Sequence, residues 1–319
     1  MTCHLLADIG GTRARFALLD GERLGPIESM TTGAYGSVEE AIRHFLNGQP
    51  EGTILDRAVI AAAGPVSGGR CKLTNAPWTL ESERLRQILQ AGSVSIVNDL
   101  EALAWAVPRL GEDGVVPIGG GNAAAGQPVA VIAPGTGLGV ACYLPGFDDP
   151  RALASEGGHA TLAADNEGDD RLIGILRRRF EHVSAERVLS GRGLVNLHAA
   201  VAEQHGARSD ADAPTAEEIV RQATGGGSAH SSEALAAFCA FLGSFAGDMA
   251  LTFAARGGVL LAGGMAPHIV GALQRSDFRE RFVGKGRFSD YVAHIPTGVI
   301  VRPEPTFLGL VALATREPA

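Results

Sequence analysis

The sequence predicts an α/β fold divided into two domains. At 319 residues, the chain is longer than a single hydrophobic core usually supports. A strand, a turn rich in Gly and Thr, and a second strand occur twice, over residues 4–19 and 129–144. Residues 93–108 form a short apolar strand pattern that leads directly into a helical pattern. The two strand–turn–strand units, which begin at positions 4 and 129, suggest a duplicated architecture.

Composition excludes several classes of function. The formal net charge of -8 argues against a nucleic-acid-binding protein, which normally presents a basic face. The four cysteines are scattered without a CxxC pair, which favours reduced thiols over a zinc site or disulfides. The sequence shows no basic start followed by an apolar stretch and no unbroken apolar run of membrane-spanning length. We therefore expect a cytoplasmic protein without a membrane partner.

The segment from Ser93 to Pro108 has the strongest functional pattern. Asn98 and Asp99 end its strand, and apolar residues then recur at helical spacing over 100–107. Open α/β folds bind ligands at the carboxyl ends of their strands, so this amide and carboxylate are candidate site residues. Alternatively, Asn98 or Asp99 only caps the helix.

Two glycine turns could bind phosphate through bare backbone N–H groups. They contain Gly10, Gly11 and Thr12 in the first repeat and Gly135, Thr136 and Gly137 in the second. Neither is a Walker A motif, and either could be a simple tight hairpin. Asp8 enters the first turn and could hold Mg²⁺ directly or through water. Alternatively, it bonds the backbone of its own turn.

Three further groups are candidates for ligand contacts. Gly263 and Gly264 follow an apolar strand, where missing side chains would let a flat base approach, or would serve packing alone. Glu156 and His159 lie in a glycine loop and could bond vicinal hydroxyls, although His159 could equally be a structural histidine. Glu186 is the remaining candidate carboxylate, or it pairs with Arg187.

Helical patterns complete the predicted elements. We expect a helix capped by Ser37, another running from a Thr79 cap through Leu89, and a terminal helix at Pro305–Ala314. Residues 231–255 predict a long helix whose stripe of apolar side chains packs into the core or against another subunit. The stripe contains Phe238, Leu242, Phe245 and Met249.

Seven motifs are distributed along nearly the whole chain, and their order and spacing follow a recognisable pattern. They are ADIGGTRARFAL (7–18), LTNAPW (73–78), VNDLEALAWAVP (97–108), PGTGLGVA (134–141), SEGGHATLA (155–163), ERVLSGRGLVNLH (186–198) and GGVLLAGGMAP (257–267). By these motifs the chain resembles bacterial ATP-dependent glucokinases of the hexokinase-like, actin-type ATPase superfamily, in the group without a Cys-rich zinc motif. Arg13 stands where that family most often has Asn, and Arg is compatible with anions.

The resemblance implies an actin-like (ribonuclease H-like) fold with mixed sheets flanked by helices. A small α/β domain over 1–108 would be completed by a C-terminal helix in 302–319. A larger α+β domain would cover 109–301, with the active-site cleft between the two. The family also implies a homodimer.

The resemblance further implies transfer of the ATP γ-phosphate to the 6-hydroxyl of glucose, a step of glycolysis, with ATP and Mg²⁺ as cofactors and Asp99 as general base. The implied phosphate contacts are Ala7, Asp8, Ile9, Gly10, Gly11, Thr12, Gly135, Thr136 and Gly137, with adenine near Gly263 and Gly264 and Mg²⁺ on Asp8. The implied sugar contacts are Asn98, Asp99, Glu156, His159 and Glu186, with Thr74 and Asn75 as neighbours.

Two other functions remain compatible with these motifs. One is a kinase for another hexose, such as mannose, fructose or an amino sugar. The other is a regulator that binds a sugar without turnover. The presence of Asp99 favours catalysis over sensing.

Overall fold

The chain folds into two compact units. The first comprises Met1–Gly111 and Arg302–Ala319, and the second comprises Glu112–Val301. The computed structural model describes residues 2–146, 149–207 and 213–316. Each unit is built on its own six-stranded mixed sheet.

Within the described residues, the strands in chain order are β1 (Thr2–Ile9), β2 (Arg13–Asp20), β3 (Arg23–Leu24), β4 (Glu28–Thr31), β5 (Ile54–Ala62), β6 (Val66–Ser67), β7 (Arg70–Lys72), β8 (Thr79–Glu81), β9 (Ser93–Asn98), β10 (Val115–Gly119), β11 (Val129–Pro134), β12 (Leu138–Leu144), β13 (Arg151–Ser155), β14 (Gly258–Leu261) and β15 (Thr297–Ile300). The helices are α1 (Val38–Asn47), α2 (Ser82–Leu89), α3 (Asp99–Trp105), α4 (Glu167–Arg177), α5 (Gly191–Gln204), α6 (Ala216–Gly225), α7 (Ala229–Thr252), α8 (Val270–Arg275), α9 (Phe278–Val283), α10 (Ser289–Ala293) and α11 (Pro305–Ala314).

The two sheets repeat one strand order. In the first unit the order is β3-β2-β1-β5-β9, with β4 also pairing β2. In the second unit the order is β13-β12-β11-β14-β15, and β10 is added beyond β15. In both, an antiparallel meander of three strands is followed by two parallel strands. The repeat predicted from the two strand–turn–strand patterns is therefore confirmed in the sheet topology.

Strand β1 is buried on both faces, which explains its nearly continuous apolar sequence. Leu5 packs in a cluster with Ile42 of α1, whereas Leu6 packs in a separate cluster with Leu310 of α11. Successive side chains of a strand point to opposite faces, so helices cover both sides of this sheet. The predicted cap of α1 is confirmed, because the Ser37 side chain accepts a hydrogen bond from the Glu40 N–H.

Helices α3 and α11 approach each other very closely in the first unit. A Cβ placed on Gly309 of α11 would lie 1.7 Å from the carbonyl oxygen of Ala102 in α3. Only a residue without a side chain permits this contact. The position of α3 therefore depends on α11, which returns to the first unit from the far end of the chain.

Helix α7 is the central helix of the second unit. Its length and mean hydropathy of 1.7 would suit a membrane span, but 67% of the apolar window is buried inside the structure. Phe238, Leu242 and Phe245 of the predicted stripe are buried, and Met249 packs against the same cluster. A helix that is apolar all round is expected in the core of a large domain. The stripe therefore packs into the core, which confirms the first of the two predicted alternatives.

The predicted start of the helix that ends at Leu89 is wrong. Thr79 does not cap it, because Thr79–Glu81 forms β8 and pairs with β7. The helix begins only at Ser82, after Glu81. Cross-strand pairing with β7, the preceding strand, outweighs the local preference of Thr for a cap position.

Candidate active site

The first glycine turn joins β1 to β2 and is held from two directions. The Gly10 N–H donates to the Arg13 carbonyl at 2.9 Å, and the Thr32 hydroxyl donates to the Gly10 carbonyl at 2.9 Å. A Cβ on Gly11 would lie 2.7 Å from the Cβ of Asn75. The missing side chain therefore lets the loop carrying Asn75 pack directly against the turn.

Asp8 pairs with a side chain that the sequence reading did not single out. The Arg15 Nη1 lies 3.1 Å from Oδ2 of Asp8, and the Arg15 Nε lies 3.1 Å from Oε2 of Glu304. The alternative prediction was that Asp8 bonds the backbone of its own turn. The structure shows this ion pair instead. Burial raises the pKa of Asp8 to about 6, while Arg15 lowers it and the Glu304 carboxylate raises it.

This pKa predicts a pH-dependent contribution of Asp8 to stability. Folded Asp8 holds its proton more tightly than unfolded Asp8, whose pKa is 3.8. Its contribution is therefore present in full below about 3.8 and is lost as the pH rises through about 6. Relative to Asp8→Asn, wild-type stability should fall by about 3 kcal/mol across that range.

Urea unfolding followed by tryptophan fluorescence would measure this difference, because the two tryptophans, Trp78 and Trp105, both belong to the first unit. Asp20→Asn, at the exposed end of the same hairpin, is the matched control. A constant difference between wild type and Asp8→Asn over this pH range would contradict the assignment.

Asn98 and Asp99 occupy the predicted junction of β9 and α3. The Oδ1 of Asn98 accepts from the N–H groups of Leu100 at 2.9 Å and Glu101 at 3.3 Å, so the predicted cap is confirmed for Asn98. Its Nδ2 donates to the Gly64 carbonyl at 3.1 Å. The Oδ1 of Asp99 accepts from the Leu100 N–H at 3.0 Å.

The first-unit candidates lie along one edge of the sheet. Ile9 of β1 pairs with Ala62 of β5, and Ala62 pairs with Asn98 of β9, so three parallel strands end in register. The Thr74 N–H donates to the Ala63 carbonyl at 3.2 Å, which ties the loop of Thr74 and Asn75 to the same edge. The structure therefore brings together the first glycine turn, this loop and the start of α3.

The second glycine turn joins β11 to β12 and has close backbone neighbours. The Gly135 N–H donates to the Gly137 carbonyl, and the Gly191 N–H donates to the Gly135 carbonyl, both at 2.8 Å. Gly263 has a φ of +76°, and a Cβ on it would lie 2.6 Å from the Pro134 carbonyl oxygen. Gly263 and Gly264 thus pack beside this turn. Their proximity fits both readings of the pair, a ligand contact and backbone packing.

Glu186 points at the second turn. Its Oε2 accepts from the Leu138 N–H at 3.0 Å, and a Cβ on Gly137 would lie 2.5 Å from the same oxygen. The alternative partner of Glu186, Arg187, instead lies over the ring of Phe180 at 4.6 Å. Sequence reasoning named Glu186 but missed its contact with the turn, which only the fold brings about.

Glu156 and His159 lie beside the same turn. Their Oε2 and Nε2 atoms are 3.8 Å apart, and the two side chains are 70% and 59% exposed. His159 is therefore not a buried structural histidine. A Cβ on Gly158 would lie 2.0 Å from the Leu138 carbonyl oxygen, so the segment packs on the start of β12. The Ala185 N–H donates to the Ala160 carbonyl at 2.9 Å, which keeps the Glu186 segment adjacent.

A protein-only metal cage is not found among the described residues, in which no three His, Cys, Asp or Glu side chains are grouped to hold an ion. Asp8 does supply a single, largely buried carboxylate next to a turn of bare backbone N–H groups. Mg²⁺ typically uses one or two carboxylates together with substrate phosphates. The donor set therefore fits a magnesium ion delivered with a nucleotide.

The fold places the chain in a known class. A crystal structure of glucokinase from an Antarctic psychrotroph matches with a TM-score of 0.86 and 34% identity, covering 98% of each chain. A ROK family glucokinase from Streptomyces griseus, in complex with glucose and AMPPNP, matches with a TM-score of 0.68 and 21% identity over 98% of each chain. The protein is a sugar kinase with the actin-like ATPase fold, which confirms the predicted fold class.

Sequence comparison identifies the family. The family model described as Glucokinase matches residues 5–317. A glucokinase from Paramagnetospirillum magneticum is 42% identical over 314 residues, which cover 98% of this chain and 97% of that relative. The chain belongs to the glucokinase family and is an ATP-dependent hexose kinase.

Proposed function

We propose that the protein transfers the γ-phosphoryl group of ATP to the 6-hydroxyl of glucose, giving glucose 6-phosphate and ADP, with Asp99 as the general base. Family membership supports the reaction. The observation that carries the role of Asp99 is its position at the start of α3, on the sheet edge that also holds the first glycine turn.

In this reaction the Asp99 carboxylate accepts the proton of the 6-hydroxyl as that oxygen attacks the γ-phosphorus. A bond forms between the sugar oxygen and phosphorus, and the bond to the β–γ bridging oxygen breaks, so that ADP leaves. General-base assistance of this kind contributes about 10²- to 10⁴-fold. Positioning of the two substrates and neutralisation of phosphate charge supply the larger share.

The backbone of the two glycine turns is proposed to bind the ATP phosphates. The residues are Ala7, Asp8, Ile9, Gly10, Gly11 and Thr12 in the first unit and Gly135, Thr136 and Gly137 in the second. Gly263 and Gly264 are proposed to lie beside the adenine, supported by their packing against Pro134. Mg²⁺ bound with the nucleotide would neutralise phosphate charge, and Asp8 would hold it directly or through water.

The proposed sugar contacts are the candidate side chains at the start of α3, in the loop before β8 and beside the second glycine turn. Asn98, Asp99, Thr74 and Asn75 belong to the first unit, and Glu156, His159 and Glu186 to the second. The Asn98 side chain is already engaged by the cap of α3 and by Gly64. We therefore assign it mainly to holding Asp99 in place, with its second amide N–H directed to the sugar. Polar groups that hydrogen-bond a sugar hydroxyl discriminate against sugars that lack it.

The replacement Glu156→Ala is expected to raise the KM for glucose about 10- to 100-fold, because a hydrogen bond to a charged group is lost. The kcat should change much less. Initial rates at varied glucose would measure both constants. Glu167→Ala in α4, whose side chain is 97% exposed, is the matched control. An unchanged KM in Glu156→Ala would remove this residue from the sugar site.

A direct test of the reaction is ADP formation when the protein is mixed with ATP, Mg²⁺ and glucose. A panel with mannose, fructose and glucosamine then ranks the sugars by kcat/KM. We expect glucose to rank first. A protein that binds glucose without forming ADP would be a sensor, and the proposal would fail. We further propose that the enzyme works in the cytoplasm. We also propose that it is a homodimer, which size-exclusion chromatography with light scattering would test.

A further inference from the structure

A pocket lies in the first unit, at the end of the sheet away from the proposed active site. It has a volume of about 490 Å³. His4, Arg57 and Ser93 form a row across three strands, because His4 pairs with Arg57 and Arg57 pairs with Ser93. His4 precedes Asp8 by four positions on β1, a separation of about 13 Å along a strand. The remaining wall is formed by Asp56, Gly92, Ala314, Thr315 and Arg316.

Unsatisfied polar atoms are concentrated on this wall. Three buried side-chain nitrogens in the described part of the chain have no hydrogen-bond partner, and two of them are Nδ1 of His4 and Nε of Arg57. The His4 Nδ1 lies 3.8 Å from Oδ2 of Asp56, which is longer than a hydrogen bond. Buried polar groups are almost always paired, so an orphaned pair at one pocket requires an explanation.

Arg57 is held firmly by its outer end. Its Nη1 donates to the carbonyls of Ala314 at 3.4 Å and Arg316 at 2.9 Å, at the C-terminus of α11. The guanidinium is always charged, yet both of these acceptors are neutral backbone carbonyls. The β1–β5 ladder also shifts register between Cys3 and His4, directly at the pocket. Such irregularities re-aim side chains and are frequent next to binding sites.

The charges of the wall favour an anion. Two guanidinium-bearing residues, Arg57 and Arg316, line the pocket together with a single carboxylate residue, Asp56, whose side chain is 62% exposed, and the Arg316 guanidinium lies 4.4 Å over the ring of Trp105. We propose that this pocket binds a small oxyanion, a phosphate or a carboxylate, through Arg57 and His4 with the Ser93 hydroxyl at the rim. Guanidinium and imidazole N–H groups are strong donors to such oxygens. The inference does not depend on the proposed catalytic roles.

Inorganic phosphate and acetate are the probes, added to the full-length protein at constant ionic strength while the ring resonances of His4 are followed by NMR. We expect saturable shifts with a Kd on the order of 1 mM for at least one of the two anions. The tighter anion identifies the ligand class. Absence of a saturable His4 shift with both anions would mean that water alone fills the pocket and would overturn the proposal.

Ser93 provides a matched pair of variants, because it is exposed at the rim and its replacement removes none of the contacts that hold Arg57. Ser93→Asp places a carboxylate at the pocket and should raise the Kd at least about tenfold by charge repulsion. Ser93→Asn has nearly the same shape without the charge and should bind close to wild type. Equal affinity of both variants for the anion would overturn the proposal, whatever the activity of the enzyme.

Discussion

Replacing Asp99 by Asn is expected to lower kcat about 10²- to 10⁴-fold while the Kd for glucose changes little. The amide oxygen of Asn can still accept the Leu100 N–H that Asp99 now accepts at 3.0 Å, so the start of α3 should be preserved. What is lost is the ability to take the proton of the sugar hydroxyl. Steady-state kinetics and calorimetric titration of glucose would separate these two effects.

Glu101→Gln is the matched control for this prediction. Glu101 lies on the same helix, and burial raises the pKa of its carboxyl group. It has no assigned chemical role, so Glu101→Gln should keep a kcat near wild type. If Asp99→Asn also retained wild-type kcat, Asp99 would not be the base. If both variants lost activity equally, the effect would belong to the helix and not to one carboxylate.

Replacing Gly309 by Ala is expected to destabilise the first unit by at least about 1–3 kcal/mol and to lower kcat with it. The new methyl group would lie 1.7 Å from the Ala102 carbonyl oxygen and 3.1 Å from the Ala106 nitrogen, both backbone atoms that cannot rotate away. Helices α3 and α11 must therefore separate, and α3 carries Asp99. Urea unfolding followed by far-ultraviolet circular dichroism, which reports on the helices of both units, measures the loss of stability.

Gly174→Ala in α4 is the control for Gly309→Ala. A Cβ on Gly174 meets no atom within 4 Å, so this helical replacement should be neutral or stabilising by about 0.5–1 kcal/mol. Stability of Gly309→Ala equal to that of wild type would show that α11 can move away without cost. Loss of stability with full kcat would show that the position of α3 is not critical for the reaction.

The two strand–turn–strand units and the cap at Asn98 followed from local patterns. Alternating side chains around a glycine turn predict a hairpin. Asn or Ser before an apolar repeat predicts the start of a helix. Asn98 confirmed the structural interpretation as a helix cap, and its contact with the sugar stays a prediction. One side chain can cap α3 and, by doing so, fix the neighbouring carboxylate.

The contacts of Arg15 and Glu186 could not be predicted in the same way. Arg15 joins Asp8 to Glu304, a residue remote in sequence, and the contact exists only because α11 returns to the first sheet. Glu186 reaches the turn at Gly137 across many intervening residues. A cross-strand count from the glycine turn could have paired Asp8 with Arg15, since they are register partners. Nothing local identifies the partner of Glu186 or Glu304.

The dependence of α3 on α11 has a consequence for biosynthesis. On the ribosome, β9 and α3 emerge early, but the helix that packs against Ala102 is translated only after the whole second unit. The nascent chain must therefore keep an unfinished apolar surface until α11 has been translated and released. Folding of the first unit is thereby coupled to translation of the second unit, and products that terminate before α11 should be recognised by chaperones or proteases rather than accumulate as half-active enzyme.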